Sequence, residues 1–146
     1  MKDFFKDLFG YHRHYNQELI GILLENEEVL SARTVPLYSH MINAHQIWNS
    51  RILGADSFGV NDVHSLQECA KFDQSNYLNS LKILDRHDLS QRISYSNSKG
   101  NAYENEIKEM LFQVINHTTH HRGQIISDLR NSGVVPPITD YIFYKR

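Results

Sequence analysis

The sequence predicts an all-α protein, a four-helix bundle with a short β-hairpin ahead of its last helix, and three observations carry that expectation. Four long stretches repeat apolar residues at spacings of three and four, the mark of amphipathic helices. The three prolines, Pro36 and the pair Pro136-Pro137, fall near the ends of these stretches, where they punctuate helices without breaking them. No repeat, low-complexity tract or linker separates the stretches, so they must cover one another's apolar faces, and a bundle is the economical way to do so. The whole chain, residues 1–146, is expected to form one domain, of a size that buries roughly 68–70% of its unfolded surface.

The first helix is expected from about Phe4 to Val29, with Phe5, Leu8, Phe9, Tyr15, Leu19, Ile22 and Leu23 on its apolar stripe, weakened slightly by Gly10 and Gly21. Pro36 suits the first turn of a second helix, where its missing N–H costs nothing; that helix runs to Leu53 and is closed by Gly54. A third helix, patchier in its stripe, is placed from about Val63 to Leu84. The piece after Leu89 is rich in turn formers around Gly100 and alternates at Ile93 and Tyr95, which reads as a hairpin. The fourth helix is expected from about Glu104 to Asn131, with Gly133 and Pro136 beyond it in the usual order of stop signals. The tail from Ile138, with Tyr141, Ile142, Phe143 and Tyr144, is aromatic enough to dock on the body.

Composition excludes several functions. Lys and Arg total 15 against 17 for Asp and Glu, a net charge of −2, which is not the basic footprint of a nucleic-acid binder. The one cysteine, Cys69, allows no internal disulfide and is expected to be buried filler. The stretch MKDFFKDLFG is too charged for the apolar centre of a signal peptide, and no apolar run is long enough to span a bilayer. Neither a nucleic acid nor a membrane is expected as a partner, and a cytoplasmic location is.

What stands out is histidine, nine residues. His117 and His121, four apart, fall on one helix face about 40° apart around the axis and about 6 Å apart along it, so they can share one ion. They continue the stripe of Met110, Val114 and Gln124, which points them inward. His120 lies about 100° round from His121 and is expected at the edge of such a site or outside it. A catalytic metal generally wants a third protein ligand and an open position. In the second helix Leu37, Met41, His45, Trp48 and Ile52 share an arc of about 80°, with His45 at its centre, whereas His40 points more than 100° from His45. The expected site is therefore His45 with His117 and His121, and His40 is the poorer candidate. The pair His12 and His14 is splayed by about 160°, and His64 and His87 lie near helix ends, so these have ordinary roles.

The string Val114-Ile-Asn-His-Thr-Thr-His-His-Arg-Gly-Gln-Ile125, together with His45-Gln-Ile-Trp48 and Gly133-Val-Val-Pro-Pro-Ile-Thr-Asp-Tyr141, resembles the DinB/YfiT-like superfamily of metalloenzymes over nearly the whole chain. The His-x-x-x-His-Arg-Gly-Gln string is its most specific element. The resemblance implies a four-helix bundle, often a homodimer, with a divalent metal on three histidines, and maps the ligands onto His45, His117 and His121. Related members include transferases and isomerases that use a low-molecular-weight thiol.

Neighbouring residues have roles of their own. Gln124 and Asp128 follow the pair on the same face, where Gln124 would touch substrate or a bound water and Asp128 would take a ring N–H or close an ion pair. Trp48 is either core or substrate contact. Arg122 points away from the metal and is expected to anchor the hairpin or a partner chain, and Gly123 to let a neighbouring helix approach. Imidazole suits zinc or nickel first, with iron and copper as alternatives. A metal so held would act on a small-molecule substrate in one of two ways. It would present a thiol cosubstrate to an electrophile, or generate hydroxide for hydrolysis. No acidic residue stands beside either helical ligand, unlike the His-Glu-x-x-His arrangement of metalloproteases, which tilts the reading towards thiol transfer. A stress-related protein whose metal only stabilises the fold is the non-enzymatic alternative.

Overall fold

Local chemistry sets where each helix starts and stops in the computed structural model, which describes all 146 residues. Helix α1 runs Lys2–Glu25 and is followed by a 3-10 turn at Glu27–Val29. Helix α2, Thr34–Leu53, carries Pro36 in its first turn and ends on Gly54, whose φ of 66° is the left-handed conformation glycine adopts without strain. Helix α3, Leu66–Arg86, starts three residues later than the periodicity predicts because Ser65 caps it. The Ser65 hydroxyl accepts the Glu68 N–H, and the Glu68 carboxylate accepts the Ser65 N–H in return. Strands β1, Arg92–Ser96, and β2, Ala102–Glu106, form an antiparallel hairpin with Tyr95 opposite Tyr103. The second strand takes residues 102–106, so α4 begins at Ile107 and not Glu104; it runs to Asn131. A one-turn helix α5, Tyr141–Tyr144, closes the chain.

The protein is thus mostly helical, with the hairpin before its last long helix as expected. Helix α2 packs broadly on both α3 and α4, α1 packs on α3, and the α1–α4 contact is the narrowest of these. The aromatic tail docks on α1, where Tyr141 and Tyr144 pack against Tyr11, the Tyr141 hydroxyl bonds Asp7, and Lys145 pairs with the same carboxylate at 2.7 Å. Cys69 is buried and free. No helix is long and apolar enough to cross a membrane.

The core has two apolar halves. One gathers Phe5, Phe9, Ile52, Ile83, Ile107 and Leu111; the other gathers Leu19, Leu23, Tyr38, Ile42, Ile125 and Leu129. On every long helix the positions between those halves are polar and buried, among them His12, Asn16, His45, Asn49, Asp73, Ser80 and Arg122. Buried polar atoms must find partners, and here they find one another. Asn16 and Gln17 each donate to the Asp73 carboxylate at 2.8 Å, His45 Nε2 meets Ser80 Oγ at 2.8 Å, and Asn49 donates to the Asn76 carbonyl at 2.9 Å.

Candidate metal centre

Three imidazoles converge where α2 meets α4. His117 and His121 hold their Nε2 atoms 3.0 Å apart, and His40 comes from α2 to complete a group whose ligand nitrogens all lie within 4.8 Å of one another. Two nitrogens about 2.0–2.1 Å from one ion, at tetrahedral or octahedral angles, stand about 2.8–3.4 Å apart. The His117–His121 spacing falls inside that range.

The third histidine differs from the one the sequence points to. His45 is buried on the opposite side of α2, stacked on Phe9 of α1 with ring centroids 5.5 Å apart and bonded to Ser80 of α3. His45 belongs to the polar layer of the core, and the expected His45–His117–His121 group becomes His40–His117–His121. The physical reason is that α2 has two buried faces, one towards α1 and α3 and one towards α4. Residues five apart on a helix lie about 140° apart, so His40 and His45 cannot serve the same face. An apolar stripe finds the centre of a core, whereas an ion that must exchange ligands belongs at the edge of a seam.

Neighbours fix two of the three rings. Gln124 Oε1 meets His121 Nδ1 at 2.7 Å, and the Val60 carbonyl meets His40 Nδ1 at 3.3 Å. Each oxygen is an acceptor, so each Nδ1 carries the proton and each Nε2 keeps its lone pair, the arrangement metal-ligating histidines adopt. Val60 is held in turn by Asn43, whose amide donates to the carbonyls of Val60 and Asp62 at 3.4 and 2.7 Å while its oxygen meets His64 Nε2 at 2.7 Å. Asn43 and Val60 carry no spacing signal in the sequence, because the loop that brings Val60 to His40 has no periodicity. Burial, followed by repulsion from His121, His40 and His120, pushes His117 down to about 4. Burial lowers His121 as well. Both rings are therefore neutral at pH 7 and ready to ligate. Three imidazole nitrogens and no carboxylate fit an intermediate metal such as zinc, nickel, iron or copper and leave coordination positions for other ligands.

The flanking residues divide. Asp128, buried, closes an ion pair with Arg33 at 2.8 Å. Gln124, Leu37 and Arg33 line a cleft of about 370 Å³ beside His121. Trp48 lies further along the same seam, at a smaller cleft of about 250 Å³ that it shares with Gln113 and Tyr95; Arg51 covers the Trp48 ring at 4.4 Å. His120 is exposed at the margin, its ring 4.9 Å from that of His121. Arg122 does not reach the hairpin. It turns into the core against His12 and Tyr11. Gly123 admits no neighbouring helix, since a Cβ there would meet nothing within 4 Å.

A family model described as DinB family matches residues 24–146. The chain belongs to the DinB family. The matched span contains α2 and α4, and so all three histidines of the DinB-family seam. Protein DinB of Bacillus subtilis (strain 168) is 31% identical over 64 residues, a match covering 44% of this chain and 37% of that protein. The chain thus matches little more than a third of the length of that DinB relative. Family membership and the three-histidine cluster are together compatible with metal binding.

Proposed function

We propose that this DinB-family protein is a four-helix-bundle metalloenzyme that joins a low-molecular-weight thiol to an electrophilic small molecule, using a divalent ion on His40, His117 and His121. The observation that carries the reading is the convergence of three imidazoles with no carboxylate among them. A divalent ion there, zinc or nickel foremost, would supply Lewis acidity that lowers the pKa of a bound thiol or water.

The chain's own groups favour the thiol. Hydrolysis benefits from a general base in reach of the attacking water; no carboxylate belongs to the histidine group, and Asp128, two turns along α4 from His121, is engaged by Arg33. A thiolate needs no such base once formed, because it is itself the nucleophile. Gln124 offers an amide beside His121, suited to orienting a thiol that carries an amide group. In the transfer a carbon–sulfur bond forms, the bond from that carbon to the leaving group breaks with its electron pair on the leaving group, and the thiol proton passes to solvent.

The test is a screen of metal-loaded protein with several cellular thiols against halogenated aromatics and epoxides, read as thioether by mass spectrometry. Thiol-dependent turnover, lost in His117→Ala, is expected. Equal consumption of electrophile with and without thiol would mean hydrolysis and overturn the transferase reading.

A further inference from the structure

Helix α4 carries a second constellation on the face that meets α1. Arg122 heads the fully buried side chains in size, at 1% exposure, yet its guanidinium has no carboxylate partner among the ion pairs of the protein. Its partners are uncharged. Nη1 donates to His12 Nδ1 at 2.9 Å, Nη2 donates to the Tyr11 hydroxyl, and the Tyr11 and Tyr15 rings lie 4.7 and 5.8 Å from its central carbon. With its Nδ1 occupied as an acceptor, His12 is a neutral ring and brings no charge. Neutral acceptors and aromatic faces recover only part of what a guanidinium loses on leaving water.

A cleft of about 370 Å³ has Arg122 in its lining, together with Tyr11, Thr119, Gly123, Thr139, Asp140 and Tyr141. Asp140 carries the one carboxylate of the lining. It is exposed, precedes α5 without capping it, and makes no ion pair. Gly123 leaves the wall open, since a Cβ there would meet nothing within 4 Å. The cleft therefore has, among its lining residues, a buried cation without a carboxylate partner and an exposed carboxylate without a cation.

We infer that this cleft binds a small zwitterion of the α-amino-acid kind, with its carboxylate on Arg122 and its ammonium group on Asp140. The planar guanidinium matches a carboxylate, and a carboxylate such as that of Asp140 pairs with an ammonium group. A simple carboxylate or a phosphate would meet Asp140 as a like charge, and a simple amine would leave Arg122 uncompensated, so only the dipolar ligand satisfies both ends. Adjacent residues of a helix point about 100° apart. His121 and Arg122 accordingly serve different seams, and the inference stands apart from the metal chemistry.

The test uses the full chain, metal-loaded and metal-free, titrated with the standard amino acids and, for each that binds, its counterparts lacking the amino or the carboxyl group. Binding is read by calorimetry and ligand-observed NMR. At least one amino acid is expected to bind equally in both forms and about tenfold more tightly than either counterpart. Gly123→Leu fills the cleft from an exposed helix position and should abolish binding while leaving the circular dichroism spectrum and metal content unchanged. Asp140→Asn should close the gap between the amino acid and its des-amino counterpart. Arg122 is kept intact, since replacing it disrupts the core. The inference is overturned if no amino acid binds at millimolar concentration, if Gly123→Leu binds as well as the parent, or if the simple carboxylate binds equally well.

Discussion

His40 and His45, both on α2, face opposite seams: His40 joins His117 and His121 at α4, while His45 meets Ser80 of α3. They therefore respond differently to replacement. His40→Ala, His117→Ala and His121→Ala are each expected to lose stoichiometric metal in elemental analysis of purified protein while remaining folded. His45→Ala is expected to retain metal and to lose about 1–3 kcal/mol of stability, because it leaves a gap beside Phe9 and takes a partner from a buried hydroxyl. Retention of metal by His40→Ala together with its loss from His45→Ala would place the ligand on the other seam.

Gln124 fixes the His121 ring through a 2.7 Å contact to Nδ1. Replacing such an outer partner typically costs about 10–100-fold in metal affinity. Gln124→Ala should show a loss of that order in competition with a chromophoric chelator, with little change in melting temperature because the residue is only partly buried. Gln124→Glu keeps the acceptor and should recover most of the affinity.

The loop that presents the Val60 carbonyl to His40 is pinned by Asn43, itself fully buried. Asn43→Ala should weaken metal binding through His40 alone. In a double-mutant cycle its effect on affinity should vanish in the His40→Ala background, and a full effect there would show that Asn43 acts by general destabilisation. Its separate cost in folding, from the lost hydrogen bonds to Val60, Asp62 and His64, is about 1–3 kcal/mol.

Burial in the core pushes His45 down to about 3. It packs against Phe9 of α1 and Ser80 of α3, and the one titratable group of the core that shares its surroundings is His12, also lowered well below its ordinary value by burial and by the nearby Arg122. The sign is fixed by the cation being disfavoured in the folded protein. Stability is complete above the unfolded value of about 6.5 and falls with pH from there towards about 3, as the unfolded chain takes up the proton first. The His45 contribution should be about 1.4 kcal/mol per pH unit in that window. Urea unfolding of metal-free protein at pH 7 and pH 5 measures it, and His45→Leu should reduce the pH dependence by that amount, the ligand histidines contributing equally to both proteins.

The long helices and the hairpin were legible because periods of 3.6 and 2 are written directly into the positions of Leu, Ile, Phe and Tyr. The starts of α3 and α4 were less so. The capping pair Ser65 and Glu68 was present to be read but lies outside the apolar stripe, and residues 104–106 look helical in isolation until Arg92 to Ser94 pair with them. His117 and His121 could be found because one helix supplies both. The third ligand depends on which of two buried faces of α2 meets α4, a property of packing that periodicity does not encode. Arg122 was misplaced for a related reason: the face of α4 beside the histidine stripe is buried too, by α1, so a charge there turns inward and not towards the hairpin.

Consecutive residues of α4 serve separate chemistries, His121 at one seam and Arg122 at the other. Helix geometry turns that adjacency into a constraint on length. Inserting or deleting a single residue between His117 and Gln124 would rotate everything beyond it by about 100°, swinging the guanidinium towards the metal ligands and an imidazole towards the tyrosines. Across descendants of this chain, the segment should therefore accept changes of identity at its exposed position His120 while keeping its residue count fixed, so that gaps in related sequences collect in the loops on either side of α4 and not within this stretch.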